Sequence, residues 1–154
     1  MKTISKEDAL HRCAAHCSTA ERCIHDIRKK LDKWEIPSDT QQQIITQLQK
    51  ENFLNEERYC KAFVNDKTKF SHWGKNKIIY ALRAKEIDHR IIATAVNEIE
   101  PEQNEKIVML LLKKKMPTIK GKDAYEIRMK LMRFAAGRGF ELSVINRCLE
   151  KLPI

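Results

Sequence analysis

Apolar side chains recur three or four residues apart along almost the whole chain, with polar residues between them. This spacing is typical of amphipathic helices, whereas the alternating runs of Val, Ile, Thr and aromatic residues that indicate β-strands do not occur. The pattern therefore predicts an all-α fold. We expect nine helices, near residues 5–16, 19–33, 38–51, 55–69, 75–86, 88–99, 102–115, 122–137 and 141–152.

Residues that cap helices precede several of these segments. Ser5 with Asp8, and Ser18 with Glu21, have the three-residue spacing of a capping box. They predict the starts of the first two helices. Three further starts are indicated by an N-cap residue or by proline in the first turn: Asn55, Asp88 and Pro101.

The apolar pattern repeats along the chain. The tripeptides WEI (34–36), KEI (85–87) and RGF (138–140) align at offsets of 51 and 53 residues. Apolar positions on both sides of the three turns then coincide: Ile27, Ile78 and Leu131; Leu31, Leu82 and Ala135; Ile45, Val96 and Leu149; Leu48, Ile99 and Leu152. Because one such segment would bury its apolar face poorly alone, we predict tandem three-helix units in an elongated, curved array. The predicted units are residues 1–53, 54–100 and 101–154.

Two of the four glycines flank a single arginine between the last two predicted helices. Gly137 and Gly139 lie on either side of Arg138, where a glycine commonly supplies the left-handed residue that ends a helix. Gly139 aligns with Glu35 and Glu86, so the turn does not require glycine in every copy. Two explanations stay open: the third turn is tighter, or its backbone lets Arg138 approach another group closely.

Positive charge is concentrated in the last third of the chain. Of the net +9, residues 1–51 contribute +1, residues 52–100 contribute +2 and residues 101–154 contribute +6. Such an uneven distribution favours a surface that meets a polyanion, which is nucleic acid or an acidic protein. The candidate contacts are Lys113, Lys114, Lys115, Lys120, Lys122, Arg128, Lys130, Arg133 and Arg138. The alternative is that these residues form only a solvated helix end, since lysine is favoured there by the helix dipole.

The chemistry of enzymes and metal sites has no clear basis in this sequence. The spacing of Cys13 and Cys17 would suit a metal site with a histidine, but we expect both to be reduced core residues. Trp34 and Trp73 are predicted to fill turns rather than to stack on bases. There is no glycine-rich phosphate loop and no paired carboxylates, so we expect neither catalysis nor a cofactor. Without an apolar run long enough to span a bilayer, a cytoplasmic protein is expected.

The motifs together resemble the RecX family of recombinase regulators. The segment NEERYCKAFVNDKTKFSHWGKNKIIYALRAKEID (55–88) is similar to the family's central part, and LLLKKK (110–115) and RFAAGRGFELSVINRCL (133–149) follow in the family's order. The matching residues of the central part are Arg58, Tyr59, Phe63, Gly74, Leu82 and Ile87, and Ser18 with Glu21 precedes them. The chain departs from the family at Asn55, where aspartate is usual, and at Glu35 and Glu86, where glycine is common.

This resemblance implies a fold of three tandem three-helix bundles and a monomer that regulates RecA. RecX-like proteins lie in the groove of the RecA filament on single-stranded DNA and bridge neighbouring subunits. They thereby hinder filament growth, strand exchange and ATP hydrolysis, which places them in homologous recombination, DNA repair and the SOS response. The nine basic residues above would then contact RecA or DNA.

Two other function classes compete with this interpretation. A stand-alone DNA-binding protein would use its last helix as a reader of the major groove, but ELSVINRCLEKL (141–152) offers only Asn146 and Arg147 among apolar residues. A metal-dependent hydrolase would need a set of carboxylates and histidines that the spacing does not provide.

Overall fold

The computed structural model describes residues 4–154, and these residues form nine α-helices without any β-strand. The all-α prediction is therefore confirmed. Residues 1–3, with which the predicted first unit begins, lie outside the described residues. The helices are α1 (Lys6–Thr19), α2 (Ile24–Lys33), α3 (Ser38–Lys50), α4 (Glu56–Lys69), α5 (Lys75–Ala84), α6 (His89–Asn97), α7 (Pro101–Lys115), α8 (Ala124–Gly137) and α9 (Leu142–Glu150). A single 3-10 turn, Met116–Thr118, follows α7.

Buried apolar residues gather in three clusters, one for each successive set of three helices, except that Cys23 before α2 packs in the second cluster. We call α1–α3 the first unit, α4–α6 the second and α7–α9 the third. The accessible surface of 9774 Å² exceeds the roughly 8,100 Å² of a compact monomer of this mass. An array of small cores exposes more surface than one large core, which accounts for the difference. The division of the chain into units at residues 1–53, 54–100 and 101–154 stays a prediction.

Three of the predicted N-caps hold the first turn of their helices. The side chain of Ser5 accepts a hydrogen bond from the backbone amide of Asp8 at 3.1 Å. The side chains of Asn55 and Asp88 accept comparable bonds at 3.0 Å and 2.8 Å. These bonds satisfy amides that have no partner within the helix.

The second predicted capping box is wrong. Ser18 lies inside α1, and its hydroxyl donates to the carbonyl of Ala14 at 3.0 Å instead of accepting from an amide. Glu21 forms an ion pair with Arg58 of α4 at 2.6 Å. The helix α2 begins later than predicted, at Ile24. Ser18 is the last residue but one of α1, and the chain continues through residues 20–23 without a helical turn, so no first turn of a helix follows Ser18 for it to cap.

All three repeated turns place one residue in the left-handed region. Glu35 and Glu86 both have φ of 58°, and Gly139 has φ of 97°. The two glutamates adopt this conformation at a cost of roughly 1–2 kcal/mol each. Gly137 is the last residue of α8 and has an ordinary φ, so Gly139 is the residue that ends the helix.

The third unit docks on the second through backbone atoms, and this contact explains the extra glycine. The amide of Gly74 donates to the carbonyl of Arg138 at 2.8 Å, and the amide of Asn76 donates to that of Gly139 at 2.9 Å. A Cβ atom on Gly74 would overlap the backbone of Gly139, and a Cβ on Gly139 would overlap Lys77. Of the two explanations above, the close approach is correct. We call this contact the glycine joint.

The first and second units meet at the equivalent place through charged side chains. Lys85, which aligns with Arg138, forms an ion pair with Asp26 of α2 at 2.7 Å. Glu86, which aligns with Gly139, lies 3.5 Å from His25. The pair of Arg58 and Glu21 adds a third contact. One docking geometry is thus used twice with different chemistry, and we call this second contact the ionic joint.

We expect Lys85→Met to raise the pKa of Asp26 and to weaken the ionic joint. Burial by itself would raise the pKa of the Asp26 carboxyl, but hydrogen bonds from Lys85 and the Cys23 thiol, with the lysine charge, lower it. The ionised Asp26 carboxylate therefore stabilises the folded protein. This stabilisation is fully present above the ordinary pKa of aspartate and is lost as the pH falls through the lowered pKa of Asp26. For this partly exposed pair it amounts to about 0.5–1 kcal/mol.

An NMR titration of the Asp26 carboxyl in the wild type and in Lys85→Met measures the effect directly. Lys33→Met removes an exposed charge from the end of the same helix, two turns away from Asp26, and is the control. An unchanged pKa of Asp26 in Lys85→Met would contradict the ionic joint.

The α7–α8 connection packs on the first turn of α8. Gly121 of this connection lies so close to Ile127 that a Cβ on the glycine would be 2.8 Å from the Ile127 side chain. Ile127 aligns with Gly74 of the second unit.

Candidate functional site

The predicted basic residues of the third unit differ in their exposure. Those that are exposed to solvent are Lys113, Lys114, Lys120, Lys122, Lys130 and Arg133, whereas Lys115, Arg128 and Arg138 are half-buried. Lys130 also lies 3.2 Å from the Glu126 carboxylate, which offsets its charge. Among the predicted residues, the structure brings Lys115 and Arg138 together.

The ring of Phe134 connects these two cations. The Nζ of Lys115 lies 5.1 Å from the ring centroid, and the guanidinium carbon of Arg138 lies 5.9 Å from it. The Nη2 of Arg138 donates to the carbonyl of Ser71 in the second unit at 2.9 Å. Arg138 therefore also holds the glycine joint, and its side chain is a structural element as well as a cation.

A second cluster of cations and aromatic rings lies on the other side of the same joint, in the second unit. The Nζ atoms of Lys67 and Lys77 lie 4.6 Å and 4.5 Å from the ring centroid of Trp73. The edge of Trp73 meets Phe63 at 6.3 Å between centroids, and Phe63 meets Tyr59 at 5.9 Å. The amide of Trp73 donates to the carbonyl of Lys67 at 2.9 Å, which fixes the loop that carries the indole.

The positive charge of this cluster is not offset by carboxylates. Within residues 4–154, Lys67, Lys69, Lys75 and Lys77 form no ion pair. The Nζ atoms of Lys67 and Lys77 lie on one ring, so they are at most about 9 Å apart. Two such charges repel by roughly 0.5 kcal/mol in water and about 2 kcal/mol at an effective dielectric constant of 20. A polyanion that contacts both lysines would relieve this repulsion.

We define the junction surface as both clusters together: Lys67, Trp73, Lys77, Lys115, Phe134 and Arg138. The sequence prediction included its third-unit cations but missed its second-unit lysines. Their signal was present in KTKFSHWGKNK (67–77), which carries four lysines, two large aromatic residues and no acidic residue. The segment does not stand out in the net charge of residues 52–100, which is only +2, because acidic residues elsewhere in that range offset its lysines.

The thiols and the last helix offer no competing site. The five cysteines are buried and free, as expected for core residues. Burial raises the pKa of Cys13, Cys23 and Cys60 to about 11, which keeps these thiols protonated and unreactive. Among residues 4–154, no group of three or more His, Cys, Asp or Glu could hold a metal ion. On α9, Arg147 pairs with Glu105 at 3.3 Å instead of projecting freely.

Comparison with known proteins identifies the family. The profile of the second three-helix domain of RecX matches residues 55–96, and that of the third three-helix domain matches residues 103–149. The chain belongs to the RecX family. Both matched segments carry members of the junction surface.

Relatives in this family extend over nearly the whole chain. A regulatory protein RecX of Clostridium botulinum (strain Eklund 17B / Type B) is 30% identical over 95% of this chain and 71% of its own length. A regulatory protein RecX of Clostridium perfringens (strain 13 / Type A) is 29% identical over 99% and 74%. The crystal structure of RecX from Lactobacillus salivarius superposes with a TM-score of 0.87 over 96% of both chains at 19% identity, which shows a shared fold. None of the described helices has the length and apolar character needed to cross a membrane.

Proposed function

We propose that this RecX-family protein binds the RecA filament on single-stranded DNA and inhibits filament growth, strand exchange and ATP hydrolysis. The observation that carries the proposal is the family match along nearly the full chain. An array with three separate cores and an unpaired basic surface is suited to lie along a filament. The protein would act by occupying a binding surface, as a cytoplasmic monomer without a cofactor.

The exposed lysines of the third unit are proposed as filament contacts. Lys113 and Lys114 lie close together near the end of α7, and both are exposed. Lys120, Lys122 and Arg133 extend the positive charge along the α7–α8 connection and α8. Arg128 and Lys130 belong to the proposed surface as weaker members, since one is half-buried and the other is paired with a carboxylate.

The decisive experiment adds the purified protein to RecA of the same bacterium assembled on single-stranded DNA. We expect a dose-dependent loss of ATP hydrolysis and shorter filaments under the electron microscope. Unchanged hydrolysis, strand exchange and filament length at several-fold excess of the protein would refute the proposal.

The same assay tests the third-unit contacts. Lys113→Gln combined with Lys114→Gln should require more protein for half-maximal inhibition, because two favourable charges are removed. The matched control combines Lys29→Gln with Lys33→Gln, which removes two exposed charges from the first unit. Equal inhibition by both variants would mean that Lys113 and Lys114 are only solvated.

A stand-alone DNA-binding protein remains the second candidate, and it is distinguished by the partner required. Such a protein would bind duplex DNA tightly and would leave RecA hydrolysis unaffected. The apolar face and the paired Arg147 of α9 do not favour it.

A further inference from the structure

We propose that the second-unit part of the junction surface, together with the exposed rings of Phe70 and Tyr80, is a binding platform for single-stranded DNA. In this platform Lys67 and Lys77 bind backbone phosphates, and the exposed rings of Phe70 and Tyr80 stack on bases. This proposal rests on the proposed function in one respect: a role of the platform in the RecA filament requires that the protein binds the filament. It assigns direct DNA contacts to residues 67–80 of the second unit rather than to the basic third unit.

The two lysines are arranged for a phosphate. Both Nζ atoms lie within 4.6 Å of the Trp73 ring centroid, so the indole holds two uncompensated charges in one place. Because the two Nζ atoms are at most about 9 Å apart, neighbouring phosphates of one strand can reach both of them. Lys69 and Lys75, which form no ion pair within residues 4–154, extend the charge on either side of the loop.

Two exposed aromatic rings accompany these lysines. Phe70 is 79% exposed and Tyr80 is 78% exposed, the two highest values among the exposed large apolar side chains of residues 4–154. Phe70 follows Lys67 by three residues at the end of α4, and Tyr80 follows Lys77 by three on α5, so each ring shares a helix face with one lysine. Rings that are so fully exposed contribute little to the fold.

This combination fits a single strand better than a duplex or an acidic protein. Proteins that bind single strands combine cations that follow the backbone with aromatic rings on which unpaired bases stack. A duplex keeps its bases stacked inside and offers nothing to Phe70 and Tyr80. An acidic protein surface would neutralise the lysines and could also cover the rings, but it offers no row of planar bases that follows a row of charges.

The comparison of the two joints supports an anionic partner. At the ionic joint, Arg58 and Lys85 are paired with carboxylates of the first unit. At the glycine joint, the contacts are made by backbone atoms and by Arg138, which leaves Lys67 and Lys77 unpaired among the described residues. Lys67 and Lys77, beside the glycine joint, are therefore available for a ligand.

The first test measures binding of the full chain to a fluorescent oligothymidylate by anisotropy at several salt concentrations. Combining Lys67→Gln with Lys77→Gln should weaken binding and flatten the log–log salt slope by about 1.4, or roughly 0.7 for each phosphate that is no longer neutralised. The matched control combines Arg12→Gln with Lys30→Gln. It removes two cations from the ring of Trp34, where they lie at 5.6 Å and 5.5 Å, and should keep the wild-type slope.

The second test removes the rings without changing the charge. Phe70→Leu combined with Tyr80→Leu should lower affinity by about 5- to 150-fold for each base that no longer stacks on a ring, with an unchanged salt slope. The control that exchanges the rings, Phe70→Tyr with Tyr80→Phe, should bind like the wild type. Circular dichroism checks that every variant keeps its helices.

Three results would overturn the platform: no binding of the oligothymidylate by the wild type, an unchanged slope in the lysine variant, or full affinity in the leucine variant. Filament binding that falls in the lysine variant while its naked-DNA slope is unchanged would assign the lysines to RecA instead. Inhibition of RecA by the wild type is measured separately. If that inhibition is absent while the DNA results hold, the proposed function fails and the platform stands.

Discussion

Leu82→Ala is expected to lower the free energy of unfolding by about 2–5 kcal/mol, the usual cost of truncating a buried leucine. Leu82 is fully buried in the core of the second unit, together with Ile78 and Ile87. A small three-helix core has few other side chains that could move into the space left behind. Urea unfolding followed by circular dichroism measures the decrease, and a cost near zero would contradict the repeat alignment.

The repeat itself supplies a control for this substitution. Ala135 occupies the equivalent position in the third unit, where it is also fully buried, and Phe140 there takes the place of Ile87. We expect the larger ring to fill the volume that the alanine leaves. Adding Ile87→Phe to Leu82→Ala should therefore recover part of the stability. Arg83→Ala, an exposed change on the same helix, should cost little.

Gly74→Ala is expected to cost roughly 1–3 kcal/mol and to separate the third unit from the second, because the added methyl group overlaps backbone that cannot move aside without a shift of the whole unit. The φ of Gly74 is −83°, so alanine suits its backbone conformation. Gly74 is also the N-cap of α5, where glycine is favoured over alanine, so part of the cost is lost capping and the change in shape reports the joint. Urea unfolding measures the cost, and small-angle X-ray scattering should show a larger radius of gyration.

Gly137→Ala is the matched control for the joint. Apart from its chain neighbours and the nearby backbone of α8, no atom lies within 4 Å of the Cβ that this change adds. Alanine in a helix is favoured over glycine by roughly 0.5–1 kcal/mol, so this variant should be at least as stable as the wild type. If Gly74→Ala and Gly137→Ala behaved alike, the glycine joint would have no role.

The helices were predictable because their signals are local. Spacing of apolar residues, the caps at Ser5, Asn55 and Asp88, and proline in the first turn of α7 act within a few residues of one another. The error at Ser18 has the same origin. A local spacing was interpreted as a cap, whereas Glu21 found its partner in Arg58, 37 residues away.

The candidate site was predictable only in part. The excess of positive charge in the third unit is a property of composition, and it predicts Lys115 and Arg138 as binding residues. Their neighbours Lys67, Trp73 and Lys77 belong to another unit, and no spacing along the chain reports that contact. Net charge also treats Lys85 and Lys77 alike, although one is paired with Asp26 and the other forms no ion pair within residues 4–154.

The sequence by itself determined the helices, the period of the repeat and the family, because each depends on which residues stand at which intervals along the chain. Only the tertiary structure decided how the units dock, since one geometry is built from ion pairs at one joint and from glycine backbone at the other. It also decided which cations stay unpaired. Whether two charged residues pair depends on the distance between side chains of successive units, which are about 50 positions apart along the chain. This distance is fixed only when the units dock on one another.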